Sequence, residues 1–219
     1  GENNTGKSYD KFKERLIFPI YSYSGKVIGF GGRSFNVNAK SKYLNSAESL
    51  IYDKSKVLYG LNFAKQDISK QNNCYVVEGY TDVISMHQIG ISNIVSASGT
   101  ALSKNQILLI KRLTKNITLL FDNDKAGISA TIRSIDLCLQ LEMNVKVCLF
   151  PKGEDPDSFS KKNSSETTLS YLKNKSINFV DYLISAYNLE KESDPTKIID
   201  IKKNIISSIS KISDSFSRQ

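Results

Sequence analysis

Between Asn72 and Phe150 the chain alternates four short apolar runs with stretches of helical spacing, and this alternation restricts the fold more than any other feature. Cys74–Val77, Asn93–Ala97, Ile117–Phe121 and Val145–Phe150 read as buried strands. Helical patterns follow the first three: one from Thr81 to Gly90, one opened by the capping box Ser103-Lys104-Asn105-Gln106, and one from Ala126. Connections of that length are crossovers rather than hairpins, so neighbouring strands run parallel and the crossovers are right-handed. The expected class is α/β, a parallel sheet flanked by helices.

The flanks read differently. "RLIFPIYSYSGKVIGFGGRSF" predicts a hairpin turning at Ser24-Gly25, "KSKYLNS" a polar loop, and "VLYGLNFAKQDI" a short helix. Beyond Asp157 the signals are helical, with Asp194-Pro195 as a cap and first-turn pair. The expected organisation is a small N-terminal α+β piece over residues 1–70, the parallel-sheet domain over 71–160 and a C-terminal helical segment over 161–219.

Composition removes several classes of function. No run of about 18 apolar residues exists to span a bilayer, and the first residues lack the apolar core of a secretory signal, so a cytoplasmic location is expected. Three cysteines, Cys74, Cys138 and Cys148, lie inside apolar patterns and read as reduced core thiols. With no CxxC pair and His87 the single histidine, no zinc site is expected. A net charge of +8 suits a polyanionic partner, although a lysine-rich solvated surface accounts for it equally well.

The carboxylates carry more information. Glu78 ends the first strand, Asp122 and Asp124 follow the third, and Asp155 and Asp157 follow the fourth. In a parallel sheet these positions share the carboxyl edge, where ligands bind. Residues i and i+2 of an extended chain point the same way, so each Asp pair is expected to aim at one place. Such crowding calls for divalent cations, and hard oxygen ligands suit Mg²⁺ or Mn²⁺. The alternative for any single Asp is a helix cap or an exposed turn.

These residues resemble a known family. "EGYTD" at Glu78–Asp82, "DNDKAG" at Asp122–Gly127 and "GEDPDSF" at Gly153–Phe159 are similar to the Toprim domain of bacterial DnaG-type DNA primases. "RLIFPI", "GKVIGFGGRSF", "KYLNSAES" and "YDKSKVLYGL" resemble the N-terminal catalytic subdomain of those enzymes, and the likeness covers roughly residues 10 to 160. The last 60 residues resemble the start of the helical subdomain only loosely. Toprim itself is shared with topoisomerases, certain nucleases and recombination-mediator proteins, so a DNA-cleaving Toprim enzyme and a non-catalytic binding module are the rival classes.

The resemblance implies synthesis of short RNA primers on single-stranded DNA by metal-dependent transfer of ribonucleotides. It implies Glu78, Asp122 and Asp124 as catalytic residues, and Glu78, Asp82, Asp122, Asp124, Asp155 and Asp157 as holders of two or more Mg²⁺ or Mn²⁺ ions. Glu78 has either of two implied roles, ligand or general base. Arg33, Lys42, Tyr43, Asn45 and Lys54 match positions lining the nucleotide and template groove, with Lys13 and Arg15 continuing it. Implied partners are single-stranded DNA, ribonucleoside triphosphates, the RNA primer and a replicative helicase, the last reached through a C-terminal domain outside this sequence. Family members carry a zinc-binding domain with no counterpart here, and the chain reads as a fragment containing the catalytic core.

Overall fold

A computed structural model describes residues 6, 10–36, 38–39, 41–99 and 101–212. The chain divides into two compact units, Gly1–Lys54 and Ser55–Gln219.

The first unit is built on an antiparallel three-stranded sheet, β1 (Arg15–Tyr21), β2 (Val27–Ser34) and β3 (Tyr43–Asn45), in that order. The expected hairpin joins β1 to β2, and Gly25 supplies the left-handed residue of its turn at φ 85°. The polar loop expected around Lys42 contains β3, which pairs Tyr43 with Arg33 and Asn45 with Gly31. Gly32 is buried under Phe12, whose ring would lie 2.7 Å from an added Cβ. Packing therefore accounts for a glycine at this position.

The second unit holds the predicted parallel sheet, ordered β5-β4-β6-β7-β8. Strands β4 (Cys74–Val77), β5 (Ile94–Ser96), β6 (Asn116–Leu119) and β7 (Asn144–Val147) run parallel. The edge strand β8 (Ile177–Asn178) is antiparallel to β7 and lies in a region expected to be helical throughout. Alternate side chains point to opposite faces. Val76, Val95, Leu119 and Val147 face one core, covered by α1 (Leu61–Gln71), α3 (Lys104–Lys111), α4 (Lys125–Gln140), α7 (Phe179–Ala186) and α8 (Pro195–Ser210). Val77, Ile94, Leu120 and Cys148 face a second core, covered by α2 (Tyr80–Gln88), α5 (Pro156–Lys162) and α6 (Ser165–Lys175). The predicted helix α1 thus packs on the parallel sheet.

The capping box opening α3 is present in both directions: Gln106 N–H donates to Ser103 Oγ and Ser103 N–H to Gln106 Oε1. Asp194 caps α8 by accepting from Thr196 N–H. At the amino edge of the sheet, asparagines link the strand entries. Asn93 Nδ2 donates to Asn73 O, Asn116 Nδ2 to Asn72 O and Asn144 Nδ2 to Asn116 Oδ1, each at 2.9 Å. All three cysteines are buried and free, and burial pushes the Cys148 thiol up to about 11. No helix among the described residues is long and apolar enough to cross a membrane.

Candidate active site

At the carboxyl edge of the parallel sheet the chain leaves β4 through Glu78, whose carbonyl accepts from Ser96 Oγ (2.7 Å) and Gly99 N–H (3.1 Å). With the backbone fixed, the Glu78 carboxylate reaches across to the loop after β6 and accepts Asp122 N–H at 3.3 Å. Burial first, then the negative charge of Asp122 beside it, with Asp124 further off, raises the Glu78 carboxyl above its ordinary range.

Asp82 lies in the first turn of α2 and is only 8 % exposed. Its two oxygens accept backbone N–H groups from different segments, Gly79 at 3.0 Å and Asp157 at 3.3 Å. Burial, with a further push from Asp155 and Asp122, raises the Asp82 carboxyl to about 7, although both hydrogen bonds act the other way. Loss of hydration outweighs two donors.

The paired aspartates are oriented by the helices they open. Asp124 is the N-cap of α4 and accepts Gly127 N–H at 2.7 Å, while Asp155 is the N-cap of α5 and accepts Ser158 N–H at 2.7 Å. Pro156 begins α5, so Asp157 is helical. The extended i, i+2 geometry expected for Asp155 and Asp157 is therefore absent, because a proline at the first helical position favours helix entry. Asp157 receives Ser85 Oγ on Oδ1 and Lys161 Nζ on Oδ2, the latter at 2.7 Å. Gly127 permits the tight entry to α4, since a Cβ there would lie 2.0 Å from the Asp122 carbonyl oxygen.

All six acids thus lie at three strand-to-helix junctions, in the loop or the first helical turn, at one edge of one sheet, as their sequence positions predict. Among the described residues, however, no three His, Cys, Asp or Glu side chains are drawn together as a ready metal shell. The physical reason is local: Asp124 and Asp155 are turned to their helix N-termini and Asp157 to Ser85 and Lys161. The donor set fits a hard divalent cation in chemistry, because carboxylates that raise one another's proton affinity release that repulsion when a cation arrives.

The basic and aromatic candidates lie in the first unit. The Arg33 guanidinium is 5.8 Å and the Lys42 ammonium 6.0 Å from the Tyr43 ring centroid, so the three side chains form one group at the β2–β3 pair. Asn45 is the last residue of β3. Arg15 donates to Ser41 O (3.1 Å), Gly32 O (3.3 Å) and Lys42 O (3.4 Å), which makes it a clamp on the entry to β3. Lys13 is exposed in the turn before β1, and Lys54 begins a short 3₁₀ turn, Lys54–Lys56. Sequence reasoning missed Ser85, an uncharged side chain that bonds an acid of the site from another element. The only available signal was its place one turn after Asp82.

Residues 75–160 match the Toprim-like family, and residues 1–65 match the N-terminal domain of the DNA primase catalytic core. A DNA primase of Clostridium acetobutylicum is 42 % identical over 199 residues, which is 90 % of this chain and 33 % of the relative. The chain spans about a third of the length of the curated relatives it matches. Among solved structures, a DNA primase domain from Pseudomonas aeruginosa is 34 % identical with a TM-score of 0.89, covering all of this chain and 69 % of that one. A DnaG primase catalytic domain bound to single-stranded DNA is 33 % identical with a TM-score of 0.86, covering all of this chain and 71 % of that one. With the predicted Toprim sheet in place and both segments matched, the chain belongs to the bacterial DnaG-type DNA primase family.

Proposed function

We propose that this chain is the catalytic part of a primase, which makes short RNA primers on single-stranded DNA during replication by joining ribonucleotides from their triphosphates. The observation that carries the reading is the gathering of carboxylates at the edge of a Toprim sheet, where burial first and neighbouring negative charge second raise Glu78 and bring Asp82 to about 7. Two or more Mg²⁺ or Mn²⁺ ions bound there would activate the primer 3′-hydroxyl and neutralise charge on the leaving pyrophosphate. Asp124 and Asp155 would turn from their capping bonds to hold them, with Asp122 beside them and Asp82 and Asp157 completing the acidic surround.

Glu78 acts from the first strand end, where its bond to Asp122 N–H aligns the two loops. Arg33, Lys42, Tyr43 and Asn45 contact triphosphate or template, with Lys54, Lys13 and Arg15 adding basic character. A replicative helicase is the expected protein partner, engaged outside this sequence, and the cytoplasm is the expected location.

The test is incubation with single-stranded DNA, labelled ribonucleoside triphosphates and Mn²⁺. Template-dependent oligomers that disappear in Asp122→Asn/Asp124→Asn support the reading. Shortened DNA would indicate a Toprim nuclease, and binding without chemistry would indicate a non-catalytic module. The grip on DNA is expected to weaken steeply with salt, as release of phosphate counterions requires.

A further inference from the structure

Ser85 lies on α2, one helical turn beyond Asp82, and is 5 % exposed. A serine there has little use for packing, and its hydroxyl could have turned back to a carbonyl of its own helix, as helical serines commonly do. Instead it donates to the Oδ1 of Asp157, 72 positions further along the chain. The same Asp157 offers its backbone N–H to Asp82 Oδ1 at 3.3 Å and receives Lys161 Nζ on Oδ2 at 2.7 Å. Asp82 and Ser85 therefore act as two prongs from one helix face, one on the amide and one on the carboxylate of a single residue.

What they hold is the first turn of α5. Asp155, two residues earlier, caps that turn and is one of the proposed metal ligands. Beneath the segment, Phe150 and Phe159 pack at 5.2 Å, so the loop between them is fixed below by apolar contact and above by the prongs.

We propose that Ser85 is a positioning residue of the carboxylate site, whose hydroxyl fixes Asp157 and through it sets the turn that presents Asp155. The inference rests on the reading that these acids bind divalent metal. Polar partners of metal-ligating carboxylates are worth about tenfold or more in affinity, and Ser85 acts one residue further back, at the lower end of that range.

The experiment is a double-mutant cycle in Mn²⁺ affinity, measured calorimetrically on the chain with Ser85→Ala, Asp157→Ala and both together. Ser85→Ala is expected to weaken binding about tenfold in the parent. It should add nothing once Asp157 is alanine, since its only route to the metal is then gone. Equal effects in the two backgrounds, or none in either, would overturn the proposal. Asp122→Asn/Asp124→Asn is the companion control: if it abolishes Mn²⁺ binding while Ser85→Ala changes nothing, the metal reading stands and the role of Ser85 falls. Amide hydrogen exchange in metal-free protein gives a second arm independent of metal. Ser85→Ala should speed exchange at Asp157 and Ser158 selectively, and unchanged protection there overturns the positioning role whatever the calorimetry shows.

Discussion

Gly127→Ala isolates how tightly the entry to α4 is built. Gly127 is buried, its N–H bonds the Asp124 carboxylate at 2.7 Å, and its φ lies outside the left-handed region. By helix propensity alone, alanine would stabilise this helical position by about 1 kcal/mol. The structure gives the opposite sign. The new Cβ would lie 2.0 Å from Asp122 O and 2.8 Å from its carbonyl carbon, whereas ordinary contact begins at 3.4 Å. The difference, 3.4 − 2.0 = 1.4 Å, must be absorbed by two backbone segments with no flexible side chain to yield. Overpacking of this kind costs roughly 1–3 kcal/mol, and with backbone on both sides the upper end applies, leaving a net loss of about 2 kcal/mol after the propensity gain. The displaced loop carries Asp122 and Asp124, so Mn²⁺ affinity should fall with stability. Urea unfolding followed by circular dichroism reads the first effect and calorimetry the second. Gly153→Ala is the control: nothing lies within 4 Å of its added Cβ, and its φ of +82° leaves only the left-handed cost of about 1–2 kcal/mol. A Gly127→Ala protein as stable as the parent, with unchanged Mn²⁺ affinity, would refute the reasoning.

Asp122→Asn/Asp124→Asn should abolish Mn²⁺ binding while leaving the metal-free protein at least as stable, because asparagine caps a helix about as well as aspartate and the repulsion on Glu78 is relieved; a lowered urea midpoint would contradict this. Asp82 binds its proton more tightly in the folded state, about 7 against an ordinary 3.8, so metal-free protein should lose stability as pH rises from about 4 to 7. The loss attributable to Asp82 is on the order of 4 kcal/mol at most, and a pH series of urea midpoints that Asp82→Asn does not flatten would count against it. Lys42→Ala should lower ribonucleotide incorporation about tenfold, as loss of one charged contact costs roughly 1.5–3 kcal/mol. Unaltered incorporation in a primer-synthesis assay would remove Lys42 from the site.

The parallel sheet was legible because its strands are buried on both faces, which leaves unbroken apolar runs between helical periods. The runs also placed Glu78, Asp122 and Asp155 at one edge without any knowledge of contacts. β3 and β8 escaped for the reason that three- and two-residue strands have no period of their own; the neighbouring strand defines them. Side-chain direction at the acids was hidden too. Asp124 and Asp155 each had two local options, an extended pair or a helix cap, and the first helical turn decided between them. The bond from Ser85 to Asp157 joins residues whose sequence neighbourhoods say nothing of each other.

The asparagine links at the amino edge give the two ends of the sheet different responses to solution conditions. They are uncharged amides, so neither protonation nor ionic strength acts on them directly. At the opposite edge carboxylates are among the groups that hold the loops, so a cation or a proton there alters the forces on the loop tips at once. Mechanically the sheet resembles a set of beams clamped at one end and loaded at the other: the strands keep their register while the free ends take up the strain. Rearrangement of the loop tips can then proceed at the loaded end without the strands slipping past one another.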